Sequence, residues 1–202
     1  LGNNNGRITN LGGTLTALGT AENPILFSSI WDDTVGGDTN GDADATSPAP
    51  QDWVGINIDN AASVSKFAHC QFSYGGRSIN ATINAARGFL SVEDCTISHS
   101  ETRCMYINNG DAILRRNVFS DAEFTGLWVR NTQGYTIMEN NHFEDCLTGT
   151  YAFDPGVQLT ATGTTATNCG SANAIKVAGS NVAMQEDQIW QETLPYIVTL
   201  DL

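Results

Sequence analysis

Met105-Tyr106-Ile107-Asn108 is answered 22 residues later by Leu127-Trp128-Val129-Arg130. Each quartet alternates side chains that suit a core with side chains that suit a surface, the signature of a short half-buried strand. Ile56-Asn57-Ile58-Asp59 and Ile175-Lys176-Val177 have the same form. Three apolar columns keep step with these quartets. One runs Phe72, Ile97, Phe119, Phe143, Ala166, Ile189, in steps of 25, 22, 24, 23 and 23 residues. A second runs Phe67, Val92, Leu114, Met138, Ala161, Met184, and a third Ile58, Ile83, Ile107, Val129, Phe153, Val177. A shared period of about 23 residues marks a repeat architecture. One turn cannot bury its own apolar face, so the turns must stack into a solenoid.

Three short strands per turn, each paired with its equivalent in the next, describe an all-β parallel solenoid of about seven to eight rungs. Gly-, Asn- and Asp-rich pieces supply the corners. Cys70, Cys95, Asn117 and Asn141 share one phase just before the third strand. Asparagine there tolerates a left-handed corner, and its amide can bond the turns above and below. Glu93, Arg115 and Glu139 alternate in sign up the outer side of the second strand, as a solvated charge ladder would.

The chain carries 22 Asp and Glu against 9 Lys and Arg, a formal charge of −13. That balance argues against nucleic acid or an anionic membrane as a charge-driven partner. It suits a secreted protein, or one that gathers divalent cations. Hydrophobic residues make up 41%, enough for a core, yet no stretch reaches the ~20 apolar residues that membrane insertion requires. The first residue is Leu1 and no signal-peptide pattern is visible, so the chain is read as processed or as part of something longer. Five cysteines leave at least one without an internal partner.

The run from Gly13 through Ala17, Asn23-Pro24-Ile25 and Phe27 to Ser29 is followed by the loop Asp32-Asp33 to Asp44. Together with Asp52-Trp53-Val54-Gly55-Ile56 it resembles right-handed parallel β-helix modules of the pectin-lyase-like group, found in large secreted bacterial surface proteins. The resemblance implies a right-handed β-helix over residues 1–202, with an acidic insertion at 32–52. It places the chain in a secreted or cell-surface setting. In that family a stretch like Leu194-Pro195-Tyr196-Ile197-Val198 opens a further module, which implies neighbouring modules as partners, and no capping segment is recognisable at either end. The group has no single activity, so the resemblance implies architecture more than function.

The insertion reads Asp32-Asp33-Thr34-Val35-Gly36-Gly37-Asp38-Thr39-Asn40-Gly41-Asp42-Ala43-Asp44. Asp38, Asn40, Asp42 and Asp44 alternate as oxygen donors do in the first half of a Ca²⁺ loop. Gly41 is too early for an EF-hand glycine and the twelfth position is Ala49, so a remote carboxylate from Asp32, Asp33 or Asp52 must complete the set. A structural Ca²⁺ is expected; a solvated Asp/Asn/Gly turn is the plain alternative.

Alternation turns Tyr106, Trp128 and Lys176 outward, beside a second outward column of Asp59, Asn84, Asn108, Arg130 and Asp154. Aromatic faces next to such polar groups suit a sugar, so Tyr106, Trp128, Arg130 and Asp154 are the expected carbohydrate-binding residues. A covering loop or neighbouring module would account for the same aromatics. On the binding reading, Trp128→Ala removes sugar binding at little cost in stability.

The alternative function is a polysaccharide lyase or glycoside hydrolase of the same fold group, with Arg130 as the charge-stabilising or base-like residue and Asp59 and Asp154 nearby. Its carboxylate density falls short, and an Arg130–Asp154 ion pair is an equal account of those two. No catalytic residue is assigned. His69, His99 and His142 occupy three phases and do not make a zinc site. Cys70 with Cys95, and Cys146 with Cys169, stand one rung apart, within reach of disulfides or packed as buried thiols. Thr160, Thr162 and Thr164 do not recur from rung to rung, which removes an ice-binding array. The leading reading is a non-catalytic structural or adhesive segment, Ca²⁺-stabilised and carbohydrate-binding.

Overall fold

The computed structural model describes residues 6–130, 134–178 and 192–199. Three parallel sheets carry its strands, one of eight and two of six. Successive strands visit the three sheets in turn, so each strand pairs with its equivalent in the next coil, and no helix occurs among the described residues. Six three-strand coils are thus described, and the first sheet continues through Ile175–Ala178 and Tyr196–Thr199. The spacing predicts seven to eight rungs; among the described residues the first sheet has eight strands, and the second and third have six each. Residues 28–54 carry no strand, from the end of Ile25–Phe27 to the start of Gly55–Ile58.

Two of the three apolar columns stack as the spacing predicts. Phe27, Phe72, Ile97, Phe119, Phe143 and Ala166 are successive register partners in the third sheet. Ala17, Phe67, Val92, Leu114, Met138 and Ala161 follow each other in the second. Met184 and Ile189, expected to extend them, lie outside the described residues. The rings of Phe27 and Phe72 stack at 4.7 Å, and those of Phe119 and Phe143 at 4.8 Å, close to the strand spacing. Phe72, Phe119 and Phe143 are fully buried, and each stabilises the fold by about 1.5–3 kcal/mol through area removed from water.

The third column needs one correction. Ile58 pairs with Ala85, which in turn pairs with Ile107; Ile83 stands between Ile56 and Met105. Ile83 and Ala85 both point inward one pleat apart, so alternation alone does not separate them. The long connection over residues 74–82 moves the register by two. Asn84 therefore belongs to the outward column Asn57, Asn84, Tyr106, Trp128, Ala152, Lys176. The place beside Asn108, Arg130 and Asp154 falls to Ala86, whose N–H bonds Ile58 O at 2.9 Å.

Left-handed corner residues occur one position before the expected asparagines. His69, Asp94, Arg116 and Asn140 have φ of 48°, 52°, 53° and 55°, and a second corner series runs Tyr74, His99, Asp121, Asp145, Asn168. Such a conformation costs a non-glycine residue roughly 1–2 kcal/mol. Neighbours within a series offset this by pairing up the stack, as Asp94 does with Arg116, His99 with Asp121, and Asp145 with Asn168. The expected asparagines instead form a buried amide ladder. Cys95 N–H donates to Asn117 Oδ1 at 3.0 Å, and Asn117 N–H donates to Asn141 Oδ1 at 3.0 Å. Their own amides donate to Val92 O and Leu114 O, which satisfies a corner that would otherwise hold orphan backbone groups.

All five cysteines are free and buried. Burial pushes the Cys95 and Cys104 thiols up to about 12, so they behave as small core side chains. The Glu93–Arg115–Glu139 ladder forms as spaced, with Arg115 Nε 2.7 Å from Glu139 and Nη1 3.7 Å from Glu93.

Candidate functional site

The insertion is sewn to the coil by two buried carboxylates. Asp32 accepts from Ser28 Oγ and from Thr34 Oγ1, while Asp52 accepts from Ser29 Oγ at 2.6 Å and Ala49 N–H at 2.8 Å. Both are thereby committed to the root of the loop. Further out, Asp38 organises the backbone, taking N–H groups from Gly41, Asp42 and Ala43 at 2.7, 3.1 and 3.0 Å. Asn40 Oδ1 accepts from Asp42 N–H, and Asn40 Nδ2 donates to Thr46 Oγ1.

The carboxylates that converge are Asp33, Asp38 and Asp42, each offering an oxygen within 4.8 Å of the others. Ligands of one Ca²⁺ at 2.3–2.6 Å stand at up to about that separation, so the spacing fits the ion. Asp33 Oδ1 and Asp42 Oδ1 are buried without a hydrogen-bond partner. Burial, then the charges of Asp38, Asp42, Asp44 and Asp32, push the Asp33 carboxyl up. Of the remote carboxylates considered from sequence, Asp33 is the one brought to the cluster. Asn40 is spent on the turn, and exposed Asp44 stands outside the converging trio.

On the outer face of the first sheet, Tyr106 and Trp128 are register partners with ring centres 5.8 Å apart at 71°. They meet edge to face and do not form a flat platform. Tyr106 is only 6% exposed and Trp128 is half-buried. The Arg103 guanidinium lies 4.4 Å from the Trp128 ring centre and that of Arg130 lies 5.1 Å away. Trp128 Nε1 donates to Asp154 Oδ1 at 3.1 Å, and Arg130 Nε donates to Asp154 Oδ2 at 3.1 Å. Burial opposes the Arg130 charge, but the bond to Asp154 helps leave its guanidinium above the usual value. Asp154 is buried, whereas the Arg130 side chain keeps 48% of its surface open.

Alternation along the strands therefore placed Trp128, Arg130 and Asp154 together, but it missed two neighbours. Arg103 and Phe124 sit in connections outside the strands, where alternation assigns no face. Arg103 lies 5.2 Å from the Phe124 ring centre, and Phe124 is 44% exposed, the open aromatic of this face. Asp59 is occupied elsewhere, facing Arg87 at 3.8 Å.

The three histidines do not meet. His99 instead contacts Asp121 through Nδ1 and lies 4.9 Å from the Tyr74 ring, next to the root of the insertion. Burial raises the Tyr74 hydroxyl, reinforced by Asp32, Asp52 and Asp121.

The family model described as "Right handed beta helix region" matches residues 51–189. No curated protein and no solved structure matches the chain.

Proposed function

The chain belongs to the right-handed β-helix family, and from that premise we propose that it is a non-catalytic structural and adhesive segment. On this reading it works in a secreted or cell-surface setting, binds carbohydrate on the outer face of its first sheet, and carries a structural Ca²⁺ in its insertion. The observation that carries the binding reading is the grouping of exposed Phe124, half-open Arg130 and the Trp128–Asp154 pair on that face. Phe124 supplies a ring for the apolar face of a sugar, and Arg130 supplies donors for hydroxyls. Trp128 and Tyr106 act from beneath, Trp128 by holding Asp154 and flanking Arg130. Both oxygens of Asp154 are engaged, so it is a poor proton acceptor, which favours retention over cleavage.

Asp33, Asp38 and Asp42 would hold the Ca²⁺, whose role is to neutralise their repulsion and fix the insertion. A second reading, polysaccharide lyase or glycoside hydrolase, draws on the His99–Asp121 contact beside Tyr74. A glycan array scored for both retention and product release separates the two. Retention without new reducing or unsaturated ends supports the binding segment. Release of such ends that disappears in His99→Gln replaces it with the enzyme.

A further inference from the structure

Arg103 is 8% exposed, and its Nε is buried without a hydrogen-bond partner. No carboxylate pairs with it among the described residues. Its neighbours are the rings of Trp128 and Phe124. A buried guanidinium held only by aromatic faces weakens a fold, and a bound anion would satisfy it.

Two more groups point to the same place. The bond from Phe124 N–H to Thr102 O at 2.8 Å, with the pairing of Met105 and Leu127, sets Thr125 beside Arg103 on the next rung. Thr125 Oγ1 is also buried without a partner. Thr125 pairs in turn with Gly149, where a Cβ would stand 3.2 Å from Lys176 Cε. The missing side chain lets the Lys176 stem lie across this line. Burial pulls the Arg103 guanidinium and the Lys176 ammonium down, and Arg103 adds to the effect on Lys176. The chain has 9 Lys and Arg against 22 acids, yet Arg103 lies near both Arg130 and Lys176, and the one acid paired within this group is Asp154, held by Arg130. The local charge is opposite to that of the whole molecule.

We propose that Arg103, Thr125 and Lys176 form an oxyanion subsite beside Trp128 that takes the carboxylate or sulfate group of an acidic saccharide. The planar guanidinium presents paired N–H donors to a planar or tetrahedral oxyanion, Lys176 adds charge, and Thr125 adds a hydroxyl. This deepens the carbohydrate reading and rests on it for the saccharide part.

The test is calorimetric titration of the whole protein with four probes: an oligogalacturonate hexamer, a sulfated heparin-derived hexamer, neutral maltohexaose, and sodium sulfate. An acidic hexamer is expected to bind, with affinity falling as salt rises, and the preferred hexamer tells carboxylate from sulfate. Arg103→Met is expected to weaken that binding about tenfold or more while leaving Tm unchanged or higher, because it removes an unpaired buried charge. Lys176→Met and Arg103→Lys supply the same reading if Arg103→Met does not fold, and Lys66→Gln, on the second sheet, should change nothing. Binding of sulfate alone, lost in Arg103→Met, upholds the oxyanion subsite and removes the saccharide. Binding of maltohexaose as tight as that of the acidic hexamers, indifferent to Arg103→Met, upholds carbohydrate binding and overturns the subsite. No binding of any probe overturns the subsite.

Discussion

The indole Nε1–H of Trp128 and Oδ1 of Asp154 meet at 3.1 Å across the outer face of the first sheet. This bond changes what Trp128 is for. The alternating pattern makes it a presented surface aromatic, whereas the fold uses it to hold a buried carboxylate and to flank two guanidinium groups. Trp128→Ala is accordingly expected to lower stability by about 2 kcal/mol or more, through lost packing and a half-satisfied Asp154. Urea denaturation measures it; an unchanged midpoint would mean that the indole is not packed. Arg130→Gln, which alters the open side of the same cluster, is expected to cost about 1 kcal/mol or less.

Asn117 illustrates a different kind of stability. Its side chain bridges Val92 O below and shares Asn141 Oδ1 above, while its Oδ1 receives Cys95 N–H. Asn117→Ala would leave two buried backbone groups of the coil below, Cys95 N–H and Val92 O, without this partner, at about 1–3 kcal/mol each. The expected outcome is a loss larger than that of Trp128→Ala. A loss below about 1 kcal/mol would show that the ladder does not bear on stability.

Much of the coil was legible in the sequence because the third-sheet and second-sheet connections hold nearly constant length. Phe72, Ile97, Phe119 and Phe143 fall into register without adjustment. Legibility failed where a connection lengthened, as at Ile83 and Ala85, since a two-residue shift preserves the inward face and leaves no trace in the pattern. The candidate face was legible only as far as strands run. Trp128, Arg130 and Asp154 follow from alternation, but Arg103 reaches the site from a connection, and no periodicity predicts where such a side chain lies. In the insertion, regular Asp spacing suggested four donors; local backbone demands took Asn40, and Asp33 arrived from an earlier turn.

Acid sensitivity should be traceable to a corner. The hydrogen bonds from Arg116 hold the Asp94 carboxyl below its ordinary 3.8, against the opposing effect of burial. A lowered carboxyl contributes stability above its unfolded value and loses it as pH falls through the folded value. Arg116→Gln is expected to raise the Asp94 pKa and to flatten that part of the stability decline below pH 3.8. NMR titration of the Asp94 carboxyl reads it; an unmoved value would remove Arg116 as the cause.

Ca²⁺ is expected to raise Tm, and a chelator to lower it, since an ion bound by the native state stabilises that state. Asp33→Asn and Asp42→Asn should weaken Ca²⁺ binding by calorimetry more than Asp44→Asn does, in line with the trio that converges. No heat at millimolar Ca²⁺, with equal Tm in chelator, would leave the cluster as a solvated turn. Equal losses from all three substitutions would restore the regular-spacing set.

The most direct test follows the indole cross-peaks of the four tryptophans, Trp31, Trp53, Trp128 and Trp190, in an ¹H–¹⁵N spectrum while a saccharide retained on the glycan array is titrated in. The Trp128 signal is expected to shift and saturate, Trp31 and Trp53 to stay in place, and the saccharide to be recovered intact. A Trp128 signal that does not move at saturation, or a saccharide returned in shorter pieces, would contradict the binding reading.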